Sequence, residues 1–432
     1  MRRACLRIVR ARLGLVFVML PFFWNGASTT QTRPSTDHLA ETCRAFWSAT
    51  KDSDDLDLII RFPQLARWQQ RLVAVGDPVL REKNERKLKA SSDFEMIGAV
   101  AWTTDGSRRL LPRVWSELIT TPRAATTADG RLHVVFGALT GPTHSISTTP
   151  YTLWSAGFDG RAWSKPERLP ASASGSFSWD NISPSALVAS GSVLDIAIPF
   201  KSHDDTGIVV LHRDGAGRWT SHPVVTGEAA AYVRLARIGE TMILTWAGPD
   251  PRVREDRTSV LAARSMDNGK RWSTPTLVHR AARGTTNDHV LVSDPTGTTF
   301  LFWHQRSADP FRASDTLAVA ASRDSGKTWH ERSGLAVPNG FGSLTAVATQ
   351  RGPLVAYDDF GNKTSQLALL RDDHWIVPSV AKGSHAVTSA LLATVDDQVF
   401  AIGARGDVAP ARPDRQLFTI TLDCQKGSSS PH

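Results

Sequence analysis

Six tryptophans recur at near-even spacing through this 432-residue chain: Trp115, Trp163, Trp219, Trp272, Trp329 and Trp375. The intervals are 48, 56, 53, 57 and 46 residues. Each Trp follows a turn bearing Gly or Asp and opens a short β-like run, as in RWTSHPVV and RWSTPTLV. A period near 50 residues made of short strands is the mark of radial repetition, in which each unit is one small sheet. The length could hold two or three ordinary domains or one large all-β unit, and the repeat favours the second.

The amino terminus reads as an export signal. Arg2, Arg3, Arg7, Arg10 and Arg12 precede the apolar run Leu13 to Trp24, after which the chain turns small and polar. Such a run is short for a membrane span, which takes about 20 apolar residues. Cleavage near Ala27 is expected, leaving no stable membrane span; an uncleaved anchor is the alternative. Removing that segment takes five of the 50 basic residues and no acid, so 45 basic against 42 acidic residues leave a net charge of +3 rather than +8. No Lys/Arg run interleaves with aromatics, which argues against nucleic-acid binding. Cys43 and Cys424 are then the only cysteines, and in an oxidising compartment an even pair invites a disulfide. Two free thiols are the alternative.

Residues 28–95 read as an N-terminal extension. Its Arg-, Lys-, Glu- and Leu-rich stretch LARWQQRLVAVGDPVLREKNERKLKA suggests one or two short helices. From residue 96 to 424 apolar runs and turns alternate, with 122–136, 231–246 and 289–304 the cleanest pairs, and 425–432 reads as a disordered tail. Each unit is two apolar strands, a third strand, a tight turn and a Trp-bearing fourth. The last unit lacks a Trp strand and the unit at Trp115 lacks a full set before it. Joining both ends in one unit gives six; a seventh built from residues 51–110 is the runner-up.

Two turns are complete and share the form S-x-D-x-G-x-x-W: Ser265, Asp267, Gly269 and Trp272, then Ser322, Asp324, Gly326 and Trp329. Degenerate copies surround Asp159, Asp214 and Asp372. The Asp accepts hydrogen bonds from following backbone amides, Gly supplies a positive φ, and Trp fills space between sheets. This pattern resembles the Asp-box, or bacterial neuraminidase repeat, and the sialidase-like propellers that carry it. The resemblance implies an all-β fold, a six-bladed β-propeller of four-stranded antiparallel blades with a partly helical N-terminal extension. It also implies that the boxes are structural and lie away from the ligand face.

Sialidases of that family use an arginine triad, a Tyr nucleophile paired with Glu, and an Asp acid/base. The arginine that opens an R-I-P strand is replaced here by Thr in Thr120-Thr121-Pro122. Arg61-Phe62-Pro63 matches on its face, but no D-G turn and second strand are read after it. The Glu228 strand ends in Trp246-Ala247-Gly248 where arginine is expected, and none of Tyr151, Tyr232 and Tyr357 opens a late blade. No metal-ligand or nucleophile-elbow motif is present, so no metal and no cofactor are expected. His203-Asp204-Asp205 reads as a solvated turn.

In such propellers the ligand face is made by the starts of first strands and the ends of second strands. Those positions hold Tyr232, Arg234, Trp246, Asp288, His289, His304, Asp359 and Arg405. Aromatics among acids and bases suit a sugar, whose ring face stacks while its hydroxyls take charged partners. The alternative is that they merely solvate a water-filled channel. Three functions are compatible: an exported (secreted or periplasmic) propeller recognising glycans or an extracellular protein, an exo-acting glycoside hydrolase of sialidase type, or a structural propeller without a small ligand.

Overall fold

The computed structural model describes residues 42–49, 58–69, 71–80, 98–103, 108–110, 122–139, 150–170, 175–176, 186–201, 206–226, 230–249, 259–280, 289–306, 314–338, 340–382, 384–405 and 415–425. All lie in one compact unit, Ala40–His432. Among them the strands form seven sheets, each a blade running from an innermost to an outermost strand and antiparallel but for one short parallel pair, Ser379–Val380 beside Arg44 and Ala45.

Blade 1 runs Leu58–Trp68, Arg71–Leu80, Gly98–Thr103, Arg108–Leu110. Blade 2 runs Arg123–Thr126, Leu132–Leu139, Pro150–Phe158, with the edge split between Glu167–Arg168 and Gly175–Ser176. Blade 3 is Ala186–Ser190, Val193–Lys201, Thr206–Arg213, Trp219–Thr226. Blade 4 is Ala231–Ile238, Thr241–Gly248, Ser259–Ser265, Thr276–His279. Blade 5 is His289–Ser293, Thr299–Gln305, Ser314–Ser322, His330–Pro338. Blade 6 is Phe341–Thr349, Gly352–Asp359, Thr364–Arg371, His374–Ile376. Blade 7 is Val387–Val395, Gln398–Arg405, Arg415–Gln425 and, from the other end of the chain, Thr42–Ala49. The innermost strand of each blade touches that of the next, and Leu58–Trp68 touches the innermost strands of both blades 2 and 7, so the seven close into a ring.

The expectation of six blades is therefore corrected to seven, and the expectation of helices at the N-terminal side fails over residues 58–80, while its remainder, residues 81–95, lies outside the described residues. Leu58–Trp68 and Arg71–Leu80 are paired strands, and Leu72, Val73, Ala74 and Val75 are almost wholly buried. Arg, Lys and Leu favour helix only weakly, and apolar contact on both faces of a strand overrides that preference. The two deficits at the chain ends are met separately. Thr42–Ala49 supplies the missing strand of blade 7, and residues 58–103 supply the strands missing before Trp115, itself outside the described residues.

Second strands are buried on both faces because a neighbouring blade covers each side. In blade 4 all eight residues of Thr241–Gly248 are buried, whereas the outermost strand of blade 5 is mostly exposed. The Trp ladder fills the seams as expected. Trp163 packs with residues of blades 1 and 2, Trp219 with blades 2 and 3, and Trp272 with blades 3 and 4. Trp329 packs with blades 4 and 5, and Trp375 with blades 5 and 6.

Both complete boxes fold alike. Ser265 Oγ accepts from Gly269 N at 2.9 Å and donates to Asp267 Oδ1 at 2.9 Å, while Asp267 takes Arg271 N at 2.9 Å and Arg271 Nε at 2.7 Å. The Arg271 side chain is the leading reason that Asp267 titrates at about 2. In the second box Ser322 Oγ accepts from Gly326 N at 2.8 Å, and Asp324 takes Thr328 N at 2.9 Å and Thr328 Oγ1 at 2.6 Å. Positive φ falls on two residues in each turn, Asn268 with Gly269 and Ser325 with Gly326.

The ring is stapled between blades on this same turn face. Trp68 Nε1 donates to Gly130 O at 2.8 Å, Trp375 Nε1 to Ser333 O at 2.8 Å, and Arg67 pairs with Asp396 at 2.7 Å. Beneath the surface, fully buried Asp195 of blade 3 accepts from His212 Nδ1 at 2.7 Å and from Arg237 of blade 4. At the closing blade, Thr42–Ala49 pairs residue for residue with Phe418–Gln425 and sets Cys43 directly opposite Cys424. Their Cα atoms lie 4.0 Å apart and the disulfide is formed.

Candidate functional site

At the channel mouth first strands start and second strands end. In blades 1, 4, 6 and 7 the innermost strand carries one extra residue at that end. Register shifts there between Arg61 and Gln64, Ala231 and Arg234, Phe341 and Leu344, and Thr388 and Leu391. In blades 2, 3 and 5 the described pairs, which begin at Arg123, Ala186 and His289, are in register, and the residues that would carry a shift lie outside the described ones. A bulge re-aims side chains and is over-represented next to functional sites. Two of these bulges hold non-glycine residues at positive φ, Tyr232 at 51° and Ser389 at 52°. A bulky aromatic in that region is an outlier held by its surroundings.

Tyr232 stands on blade 4 with 38% of its surface exposed. Two residues on, Arg234 is half-buried opposite Thr245, with Nη1 donating to Val233 O at 3.1 Å. His289, the first residue of blade 5, lies 1% exposed with Nε2 3.1 Å from Thr245 Oγ1. Its pKa is depressed to about 3 by burial first and then by the Arg234 charge. It is a neutral imidazole locking blade 5 to blade 4, with Arg234 beside it.

His304 sits at the mouth end of blade 5. Its Nε2 is 2.6 Å from Asp315 Oδ2, and its ring lies 4.1 Å, centroid to centroid, from Phe341 of blade 6. On blade 6, Asp358 Oδ1 accepts from Ser365 Oγ and, at 2.8 Å, from Ser389 N, so it fixes the blade 7 bulge. Asp359 caps its own turn through Gly361 N at 2.8 Å and Asn362 Nδ2 at 2.8 Å. Phe360 follows, 57% exposed, and packs over the backbone at Gly342, where a Cβ would meet its ring at 3.0 Å.

Of the residues singled out from sequence, the structure brings Arg234 and His289 together across blades 4 and 5, with Tyr232 two residues before Arg234 on its strand and His304 and Asp359 at the mouth ends of blades 5 and 6. Trp246 is corrected: it is fully buried in the core between blades 3 and 4, as every residue of a doubly covered second strand must be. Asp288 lies outside the described residues. Arg405 ends the second strand of blade 7 opposite Val387, and its side chain is outside them too. Asp315, Phe341, Phe360 and the bulges were not read from the sequence. Pro63 and Gly342 inside strands are the signals that could have marked two of the bulges.

Two further points bear on chemistry. Arg61-Phe62-Pro63 sits at a mouth bulge, and the second strand Arg71–Leu80 does follow it, though through Gln69-Gln70 and not a D-G turn, so half of the reason for setting that phrase aside is overturned. Tyr357 is buried against Phe341, and burial with the nearby Asp359 pushes its hydroxyl up to about 12, the wrong direction for a nucleophile. Among the described residues no group of three or more His, Cys, Asp or Glu could hold a metal, and no helix is long and apolar enough to cross a membrane.

Residues 239–402 match the family model described as a BNR repeat-like domain. Both complete octapeptides fall within that match, which spans 164 of the 432 residues, so this part of the propeller carries BNR-type repeats. None of the curated proteins compared with it matches in sequence. Among solved structures, the polysaccharide lyase Uly1 superposes with a TM-score of 0.56 at 9% identity, over 89% of this chain and 98% of that one. The α-L-arabinofuranosidase Arb93A of Fusarium graminearum gives 0.49 at 12%, over 88% and 97%. The Trypanosoma rangeli sialidase gives 0.44 at 13%, over 88% of this chain and 59% of its own. Only the first exceeds 0.5, and at that identity it speaks to the fold and not to activity.

Proposed function

We propose that this sialidase-like BNR-repeat propeller is exported and recognises a glycan at the mouth of blades 4 to 6, without the standard sialidase catalytic set. The observation that carries the reading is Tyr232, an exposed aromatic held at positive φ by a bulge, two residues from Arg234. A flat ring beside a cation, with the His304–Asp315 pair and Phe360 across the mouth, offers stacking for a sugar face and charged partners for its hydroxyls. Export is supported by the disulfide, which persists in oxidising compartments.

One observation favours a second reading, an exo-acting glycoside hydrolase of sialidase type: Arg61-Phe62-Pro63 occupies a mouth bulge of the kind an R-x-P strand start would make. A glycan array run beside a fluorogenic glycoside panel including sialosides separates the two. Binding without turnover, lost in Tyr232→Ala, supports recognition. Turnover abolished by Arg61→Ala replaces it with the hydrolase, and neither binding nor turnover rejects both.

A further inference from the structure

The opposite face of the ring carries a feature that the glycan mouth does not use. Between blades 5 and 6 the turns enclose a cleft of about 400 Å³. It is lined by Arg323 of the second Asp-box, Arg332 of the outermost strand of blade 5, Arg351 and Arg371 of blade 6, and the acids Asp294, Asp372 and Asp373. Phe300, Pro353 and Leu370 also line it, together with Thr296, Thr298 and Gln350.

The acids are already engaged. Asp294 Oδ1 takes Thr296 N at 2.9 Å and Thr298 N at 2.9 Å, closing its own hairpin. Asp373 grips Arg332, and Asp372 lies 3.7 Å from Arg371 Nε. Asp372 and Asp373 both hold positive φ, at 47° and 65°; Asp373 is the one closely paired, while the Asp372 side chain is 87% exposed and points its charge into solvent as much as to Arg371. Arg323 and Arg351 have no side-chain partner among the described residues, and the Nε of Arg332 is buried with none. The Arg332 side chain is only 14% exposed, and burial together with the Arg323 charge lowers its pKa. A buried donor without an acceptor, next to a second guanidinium, is costly unless an anion completes it. Guanidinium pairs match carboxylate and sulfate oxygens with two parallel donors. The cleft is larger than one such group needs, falls in the range that holds a small ligand, and offers apolar wall beside hydroxyl and amide rim.

We infer that this cleft is a second binding site, for an acidic saccharide whose carboxylate or sulfate lies between Arg323, Arg332 and Arg351. It is independent of the mouth, since every lining residue belongs to the turn end of its blade.

The test is calorimetric titration of the oxidised full chain with an oligomeric hexuronate, a sulfated oligosaccharide, a neutral oligosaccharide of equal length, and inorganic sulfate. Arg323→Ala/Arg351→Ala is the test variant, because both residues are exposed and removing them leaves the buried Arg332–Asp373 pair in place. The expected result is binding of at least one acidic oligosaccharide, at least tenfold tighter than neutral oligosaccharide or sulfate and weakened by salt. The double variant should lose that affinity tenfold or more with unchanged melting temperature, while Tyr232→Ala leaves it intact. Absence of acidic-saccharide binding, equal affinity for inorganic sulfate, or loss in Tyr232→Ala with retention in the arginine variant would each overturn the assignment.

Discussion

Replacing Cys43 and Cys424 together with Ala tests how the ring is held shut. The bond joins residues 381 apart in sequence. Chain-entropy reasoning for a loop of that length gives a loss of about 6 kcal/mol at 25 °C, an upper bound, with 2–4 kcal/mol the ordinary range. The structure argues for the lower part of that span. Thr42–Ala49 keeps its eight register partners, and Ala45 and Trp47 remain buried against blades 6 and 7, so closure does not depend on sulfur alone. Unfolding entropy of about 2.1 cal/mol/K per residue over roughly 400 residues makes 3 kcal/mol worth about 4 °C. Calorimetry of the oxidised wild type, the reduced wild type and the double variant should show both uncrosslinked forms melting about 2–5 °C lower. Hydrogen exchange should localise the effect to Thr42–Ala49, whose amides exchange faster once detachment no longer strains a covalent loop. Equal melting temperatures, or exchange raised evenly through all seven blades, would refute the clamp as argued.

Further outcomes follow from the buried charges and the turns. His289 and His133 titrate at about 3 and about 4 in the folded protein, both lowered chiefly by burial. The unfolded chain takes up their protons first, so the stability they contribute is full above about pH 6.5 and is lost as pH falls toward 4. At about 1.4 kcal/mol per unit, His133 alone accounts for roughly 3 kcal/mol; a melting temperature flat from pH 7 to 4.5 would contradict this. Asp195→Ala leaves buried Arg237 without its carboxylate and should cost about 3–5 kcal/mol by denaturant unfolding; a loss under 1 kcal/mol would show the triad to be replaceable. Gly326→Ala should cost more than Gly269→Ala. Both hold φ near 80°, but the first would meet three carbons of branched Ile243 at 3.2 Å and the second the yielding Met242 Sδ at 3.4 Å. The backbone part is about 1–2 kcal/mol in each, and the reverse order would reject the packing argument. Tyr232→Gly and Tyr232→Ala should both abolish glycan binding, with the Gly variant the more stable of the two because Gly holds φ near 51° without strain; the reverse order would show that Tyr232 is not strained.

Much of the fold was legible because its determinants are local. The octapeptide turn needs Ser, Asp and Gly within five residues, and its hydrogen bonds form as that spacing dictates. The Trp that follows must reach the neighbouring sheet, so an even ladder announces an array of blades. The cysteine pair was legible because a closing ring brings its ends together. The count of blades was not. Nothing local distinguishes Leu58–Leu80 from a pair of amphipathic helices until strands on both sides cover Val73 and Val75. At the mouth, sequence position indicated Tyr232, Arg234, His289 and His304. It could not tell that Trp246, one residue beyond Thr245, faces the seam between blades.

The bulges explain why position alone fails there. Side chains alternate strictly along a strand, so a mouth residue's direction is tied to the core beneath it. One inserted residue breaks that tie. Val233 and Leu235 stay in the core of blades 3 and 4 while Tyr232 is turned outward, and Ser389 is turned while Ala390 and Leu392 stay in the core of blades 6 and 7. A channel that merely held water would gain nothing from such strain. The inserted residues fall in blades 1, 4, 6 and 7, and the buried polar contacts at the mouth join blade 4 to 5 and blade 6 to 7. The repeat therefore builds a rigid frame from the turn face and the seams. The inserted residues near the start of the innermost strands free side chains such as Tyr232 from the core, and a ligand at the mouth would meet them there.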